Sequence, residues 1–209
     1  MVFPFSSSRG RQRDEVVVIA LGARVTKAVH LVRKGESLRL RNYVLQSAPV
    51  YGTELSPELL TEHLKAMSQA LGAQTRRATL VIGMERSLVR NVDLPSDKVP
   101  DMRRMISLAP KNYFQEELPD HVFDCFILPG SEPAKAGESG KATQKFRALV
   151  GGAKRQFVAT LQAAAEAAGL VVDQITLSQI SLANAAALAM PELAHQEVIA
   201  LVDLGFMTS

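Results

Sequence analysis

The stretch "VVVIALGARVTKAVHLV", residues 16–32, decides the fold. Residues 16–21 form a nearly continuous apolar run and predict a buried strand. Gly22 breaks the run, and "VTKAVHLV" predicts a second strand returning beside the first. Thr26 stands four positions after Gly22, Lys27 follows it, and Ala20 occupies the end of the first strand. A second stretch, "EVIALVDLGFMTS" at 197–209, repeats the pattern. Ala20 through Thr26 aligns without gaps on Asp203 through Ser209, each copy reading x-Leu-Gly with a hydroxyl residue four positions after the glycine. In the second copy the acid missing at Ala20 is present as Asp203.

These residue types suit phosphate chemistry. A glycine at the turn lets backbone N–H groups approach a phosphate with no side chain in the way. A hydroxyl or lysine on the outgoing strand adds a donor. An acid at the strand end can orient a water on a magnesium ion that bridges phosphates. Two such hairpins facing each other would clamp a nucleotide tail. Either one alone is a weak signal, because strand–glycine–strand turns are common.

Between the two copies the pattern is mixed α/β. "LRLRNYVLQ" predicts a third strand after the turn "RKGES". Ser56 reads as a helix cap, Pro57 as the first helical residue and Gly72 as the stop, with Leu60, Leu64, Met67 and Leu71 on one face. "RATLVIGM" closes this unit as a strand, giving a meander with one face covered by a helix. A strand "SLVRNVDLP" follows, then a helix capped by Ser96 and ended or kinked by Pro110, with Met102 and Ile106 on its apolar stripe. The strand "HVFDCFILPG", a mobile loop "SEPAKAGESGKATQK", the strand "FRALVGG" and the helix "AKRQFVATLQAAAEAAGL" complete a compact α+β unit. "LVVDQITLS" then predicts a strand, "SQISLANAAALAM" a helix, and the closing stretch a last strand.

The pair of hairpins, with this order of elements between them, resembles the actin-like ATPase family, and within it the PilM family of type IV pilus assembly and its cell-division relative FtsA. The segment "SLVRNVDLP…HVFDCFILPG…FRALVGGAKRQFVATLQAAAEAAGL" is similar to the small α+β subdomain inserted in the first lobe of those proteins. The resemblance covers roughly residues 15–209 and implies an actin-like (ribonuclease H-like) first lobe. In that scheme 1–14 is a flexible tail, 15–84 plus 170–197 the lobe, 85–169 the insert and 198–209 the start of a truncated second lobe. The family's second lobe and adenosine-binding segment lie outside the 209 residues, so the expected cleft has one wall.

Carried over position by position, the resemblance places Gly22, Thr26 and Lys27 at the first phosphate hairpin and Asp203, Gly205, Thr208 and Ser209 at the second, with Asp203 as the metal-organising acid. Ala20 stands where the first hairpin normally carries its magnesium-organising aspartate, and a methyl group cannot orient a metal-bound water. Two readings stay open: a fold kept while its chemistry is relaxed, or ATP and Mg2+ held by backbone amides, Lys27 and Asp203 alone. The first implies a cytoplasmic scaffold of a type IV pilus or type II secretion-like platform. It would bind the cytoplasmic tail of an inner-membrane, PilN-like protein alongside other platform components, peripheral to the membrane. The second implies an actin-like ATPase. An FtsA-like membrane tether is a third alternative, which would call for a C-terminal amphipathic helix.

Composition narrows the field. A net charge of +3 and aromatics at 5% with no Trp give no basic stripe interleaved with aromatic residues, so nucleic acid is not the expected partner. The single cysteine, Cys125, sits in an apolar run and reads as a buried structural thiol in a reducing compartment. His30, His63, His121 and His195 are scattered without metal-ligand spacing.

Overall fold

The computed structural model describes residues 14–35, 37–49, 56–128, 145–192 and 199–203. These fall into two compact units. Unit 1 comprises the described chain up to Arg86 and from Gln156 onward, and unit 2 is drawn from Ser87–Arg155. In sequence, unit 2 interrupts unit 1.

Unit 1 opens with strands β1 (Glu15–Leu21), β2 (Val25–Lys34) and β3 (Ser37–Ser47), then helix α1 (Pro57–Leu71) and strand β4 (Arg77–Ile82). It resumes with α4 (Arg155–Ala167), β8 (Val171–Leu177) and α5 (Ser178–Ala189). One five-stranded sheet runs β3-β2-β1-β4-β8. β1 pairs antiparallel with β2 and parallel with β4, β2 is antiparallel to β3, and β4 is parallel to β8. Only β2 therefore opposes the other four. The crossovers β3–α1–β4 and β4–α4–β8 advance the same way across the sheet, so right-handedness puts α1 and α4 on one face.

Local chemistry sets α1 firmly. The Ser56 hydroxyl accepts the Leu59 amide at 3.3 Å, Pro57 begins the helix, and Gly72 ends it at φ 64° in the left-handed region. Leu60, Leu64, Met67 and Leu71 are fully buried, as are the sheet residues Ile19, Leu80 and Ile82, and α1 packs on β2 and β3. Each such side chain contributes about 1.5–3 kcal/mol through burial.

Unit 2 holds β5 (Ser87–Leu94), α2 (Val99–Leu108), the short helix α3 (Lys111–Phe114), β6 (His121–Ile127) and β7 (Phe146–Lys154). Its antiparallel sheet runs β5-β7-β6, and α2 packs against β6. Val92, Leu94, Met102, Ile106, Cys125, Ala148 and Val150 form its core. The ring of Phe123 lies over Gly152, where a Cβ would come within 2.8 Å of it. Phe114 stacks on Phe123 at 5.4 Å.

Four features differ from the sequence reading. Ser96 does not cap α2. Lys98 holds the cap position without a side-chain bond, and the Ser96 hydroxyl instead accepts the Lys98 amide in a preceding turn. Pro110 does follow the end of α2, but it also starts α3, a turn too short for periodicity to reveal. The helix α4 groups with unit 1, so the interrupting unit is shorter than the predicted 85–169. Its buried Leu161, Ala164 and Ala165 lie outside the core of unit 2, and its C-terminal end hands the chain directly to β8. Finally, residues 199–203 form no strand, and Ile199, Leu201 and Val202 are exposed. Among the described residues no strand lies beside them, so their backbone groups have no ladder there to join. The predicted loop at 131–145 lies almost wholly outside the described residues, as does the predicted tail at 1–14.

Candidate functional site

The candidate site is the β1–β2 hairpin. Gly22 is required there for a steric reason: a Cβ on it would sit 2.5 Å from the Val25 carbonyl oxygen. The turn is tied down where the Ala48 amide donates to the Arg24 carbonyl at 2.8 Å. The glycine is thus explained by the closeness of its own hairpin, whether or not an anion approaches.

Register sorts the flanking side chains onto two faces. Ala20 lies opposite Lys27, and Ile19 lies opposite Ala28. Lys27 is exposed on the face away from α1, beside the methyl of Ala20, so no carboxylate meets it across the strand pair. Thr26 points the other way. Only 1% exposed, it lies beneath α1, where its hydroxyl is 2.8 Å from His63 Nε2. The same face carries His30, whose Nε2 is 3.3 Å from a Glu15 carboxylate oxygen. Burial pushes the His63 pKa below its ordinary value.

The residues carried over from the family pattern are therefore brought together only in part. Gly22 and Lys27 share the outer side of the hairpin, while the Thr26 hydroxyl is engaged in the core. Asp203 is exposed and outside any strand. Gly205, Thr208 and Ser209 lie outside the described residues. Among the described residues, no group of three or more His, Cys, Asp or Glu is placed to hold a metal ion. The described hairpin offers a nucleotide one backbone turn and one lysine, and it offers magnesium no acid. These residues do not by themselves fit a magnesium–nucleotide.

Sequence reasoning missed His63 as the partner of Thr26. The available signal was their shared orientation: Thr26 alternates in phase with the apolar Ala28, and His63 lies next to Leu64 on the apolar side of α1. In unit 2, the His121 ring lies 2.8 Å from the Pro119 carbonyl through Nδ1, a turn contact at the start of β6.

No protein-family model and no curated protein sequence matches the chain. Solved structures do. A chain of the PilM–PilN type IV pilus biogenesis complex superposes with a TM-score of 0.63 at 16% identity, over 81% of this chain and 48% of that one. The chain shares the mixed α/β fold of that chain over this span. The cytoplasmic domain of EpsL, an inner-membrane component of the type II secretion system of Vibrio cholerae, superposes at 0.49 with 14% identity, over 78% of this chain and 57% of that one. A Bacteroides thetaiotaomicron protein of actin-like ATPase fold and unknown function gives 0.47 at 9% identity, over 84% and 56%. The chain spans about half the length of the PilM–PilN complex chain that it matches. Among the described residues no helix is long and apolar enough to cross a membrane.

Proposed function

We propose that the chain serves as the first lobe of an actin-like scaffold in a type IV pilus or type II secretion-like inner-membrane platform. Its partner would be the short cytoplasmic tail of a PilN-like membrane protein, which would hold it on the cytoplasmic side of the membrane. One observation carries the reading: the superposition on a chain of the PilM–PilN complex over four-fifths of the present chain. The hairpin supports it, because Ala20 supplies no metal-organising acid and Thr26 is committed to the core. The platform role asks for a stable lobe and a docking segment, and neither requires nucleotide turnover.

The test is a titration of fluorescent peptides from the N-terminal tails of co-encoded single-span membrane proteins into the purified chain, followed by anisotropy. Saturable binding of one tail, absent for a scrambled peptide of the same composition, supports the role. No binding at high micromolar peptide removes it.

A second reading, a nucleotide-binding actin-like protein, draws on the exposed Lys27 beside the tight Gly22 turn. It calls for a calorimetric signal with Mg-ATP that weakens in Lys27→Ala and in Asp203→Ala. A flat titration excludes it.

A further inference from the structure

Strand β3 lies at the edge of the five-stranded sheet and carries four exposed apolar side chains: Leu38 (45%), Leu40 (57%), Tyr43 (61%) and Leu45 (63%). Simple alternation would send Leu40 and Tyr43 to opposite faces. The register of β3 against β2 shifts between His30 and Leu31, leaving Arg41 as an extra residue, and the alternation resets. Leu38, Leu40, Tyr43 and Leu45 consequently sit opposite Arg33, Leu31, Val29 and Lys27, all on one face. Helix α1 covers the other face, as the Asn42 side-chain amide donating to the Leu71 carbonyl at 2.9 Å shows. The four apolar side chains extend over about 23 Å of strand and continue into the half-buried Val29 and Leu31.

The meander that carries this face is basic: by register Lys27 and Arg33 stand on the face itself, whereas Arg39, opposite Val32, stands on the covered side. Residues 24–47 include Arg24, Lys27, Arg33, Lys34, Arg39 and Arg41 and a single acid, Glu36. Neither β2 nor β3 contains an acid, and the one acid of β1, Glu15, is directed at His30 on the covered face. The chain's net charge is only +3, so positive charge is concentrated in this meander.

Three occupants can be weighed. A second copy would bring two basic faces together, which like-charge repulsion disfavours. Strand addition at the β3 edge is opposed by features that natural sheets use to block it: a bulge, and arginines on the edge strand itself. An anionic lipid surface satisfies both observations at once. Exposed leucines and a tyrosine suit the headgroup boundary, where tyrosine is enriched, and the cations meet lipid phosphates. We propose that the uncovered face of β1–β3 docks directly on anionic lipid, with Leu38, Leu40, Tyr43 and Leu45 entering the headgroup layer. This inference stands independently of the platform role, since it uses only the charge and exposure of unit 1.

The experiment is flotation of the purified chain with vesicles of equal parts phosphatidylglycerol and phosphatidylcholine, against vesicles of phosphatidylcholine alone. Binding is expected to the anionic vesicles only and to weaken with added salt. Each cation near such a surface is worth about fivefold in affinity, so Lys27→Gln, opposite Leu45 on this face, with Arg41→Gln should weaken binding about twenty-five-fold. Leu40→Ser with Leu45→Ser should weaken it at least about tenfold. All four side chains are exposed, and unchanged thermal melts confirm that the fold is kept. Because the chain has no Trp, Tyr43→Trp gives a single reporter, which brominated lipid should quench. Equal binding to neutral vesicles, indifference to both double variants, or an unquenched Trp in a vesicle-bound chain (binding through another segment) each overturns the proposal. A face that binds polyglutamate but no vesicle, or that self-associates in sedimentation, overturns it in favour of a protein occupant.

Discussion

The Thr26 hydroxyl and the His63 imidazole meet at 2.8 Å in the core of unit 1, joining β2 to α1 through two of its few buried polar side chains. Buried polar groups hold their place by satisfying one another, and removing one strands the other. Thr26→Val keeps the shape and deletes the hydroxyl, leaving His63 Nε2 without this partner. The expected loss of stability is about 1–3 kcal/mol by urea denaturation. Replacing both, as Thr26→Val with His63→Leu, should cost less than the sum of the single changes. Strict additivity would show that the pair is not coupled.

Stability should also depend on pH through His63. Burial holds its folded-state pKa below the ordinary 6.5, so the unfolded chain binds the proton more readily. The contribution is fully present above pH 6.5 and is lost as pH falls from there through the depressed folded value. Melting temperatures recorded from pH 7.5 downward should drop over that window, and His63→Gln should flatten the drop. An identical pH profile in the variant would assign the dependence to another group.

Gly22 and Gly35 provide a matched test of the hairpin. At Gly22 the obstacle is backbone, with the Val25 oxygen 2.5 Å from an added Cβ. Gly22→Ala should cost about 1–3 kcal/mol, as overpacking does. At Gly35, φ is +64° and nothing lies within 4 Å, so Gly35→Ala meets only the left-handed penalty of about 1 kcal/mol. Chemical denaturation of the two variants should rank them in that order.

Cys125 should be chemically quiet. It is 5% exposed, and its Sγ lies 3.8 Å from the Val99 carbonyl and 4.0 Å from the Met102 sulfur. Burial first, and the neighbouring Asp124 charge second, push its thiol up to about 11, with Arg103 pulling the other way. Little thiolate exists at neutral pH. Iodoacetamide should label the folded chain far more slowly than the urea-unfolded chain, and the folded-state rate should rise as urea populates open forms. Rapid native labelling would contradict the packing. Cys125→Ser, which places a hydroxyl in an apolar core, should cost about 1–3 kcal/mol.

Much of the fold was legible because its signals are local. Ser56, Pro57 and Gly72 mark both ends of α1, and the apolar run at 16–21 marks the central strand. Ser96 misled for a related reason: a serine two residues before the cap position can satisfy the backbone in a turn as readily as in a cap. The last strand failed because its apolar pattern at 199–203 describes a residue's preference, whereas a strand exists only beside another strand. Of the candidate site, the tight turn at Gly22 and the missing acid at Ala20 could be read directly. The fate of Thr26 could not, since alternation says that Thr26 and Lys27 part company but not which of them a helix will cover.

The sequence by itself determined the elements, their order and the charge on each strand, because propensity, capping and periodicity act over a few residues. Only the tertiary structure decided which face of the β1–β3 meander α1 would cover. That choice, made by the apolar stripe of α1 and the Asn42–Leu71 and Thr26–His63 contacts, put the Thr26 hydroxyl in the core. With the extra residue at Arg41, it also left Leu38, Leu40, Tyr43 and Leu45 together on the open side. Burial is a property of neighbours distant in the chain, and no local pattern carries it.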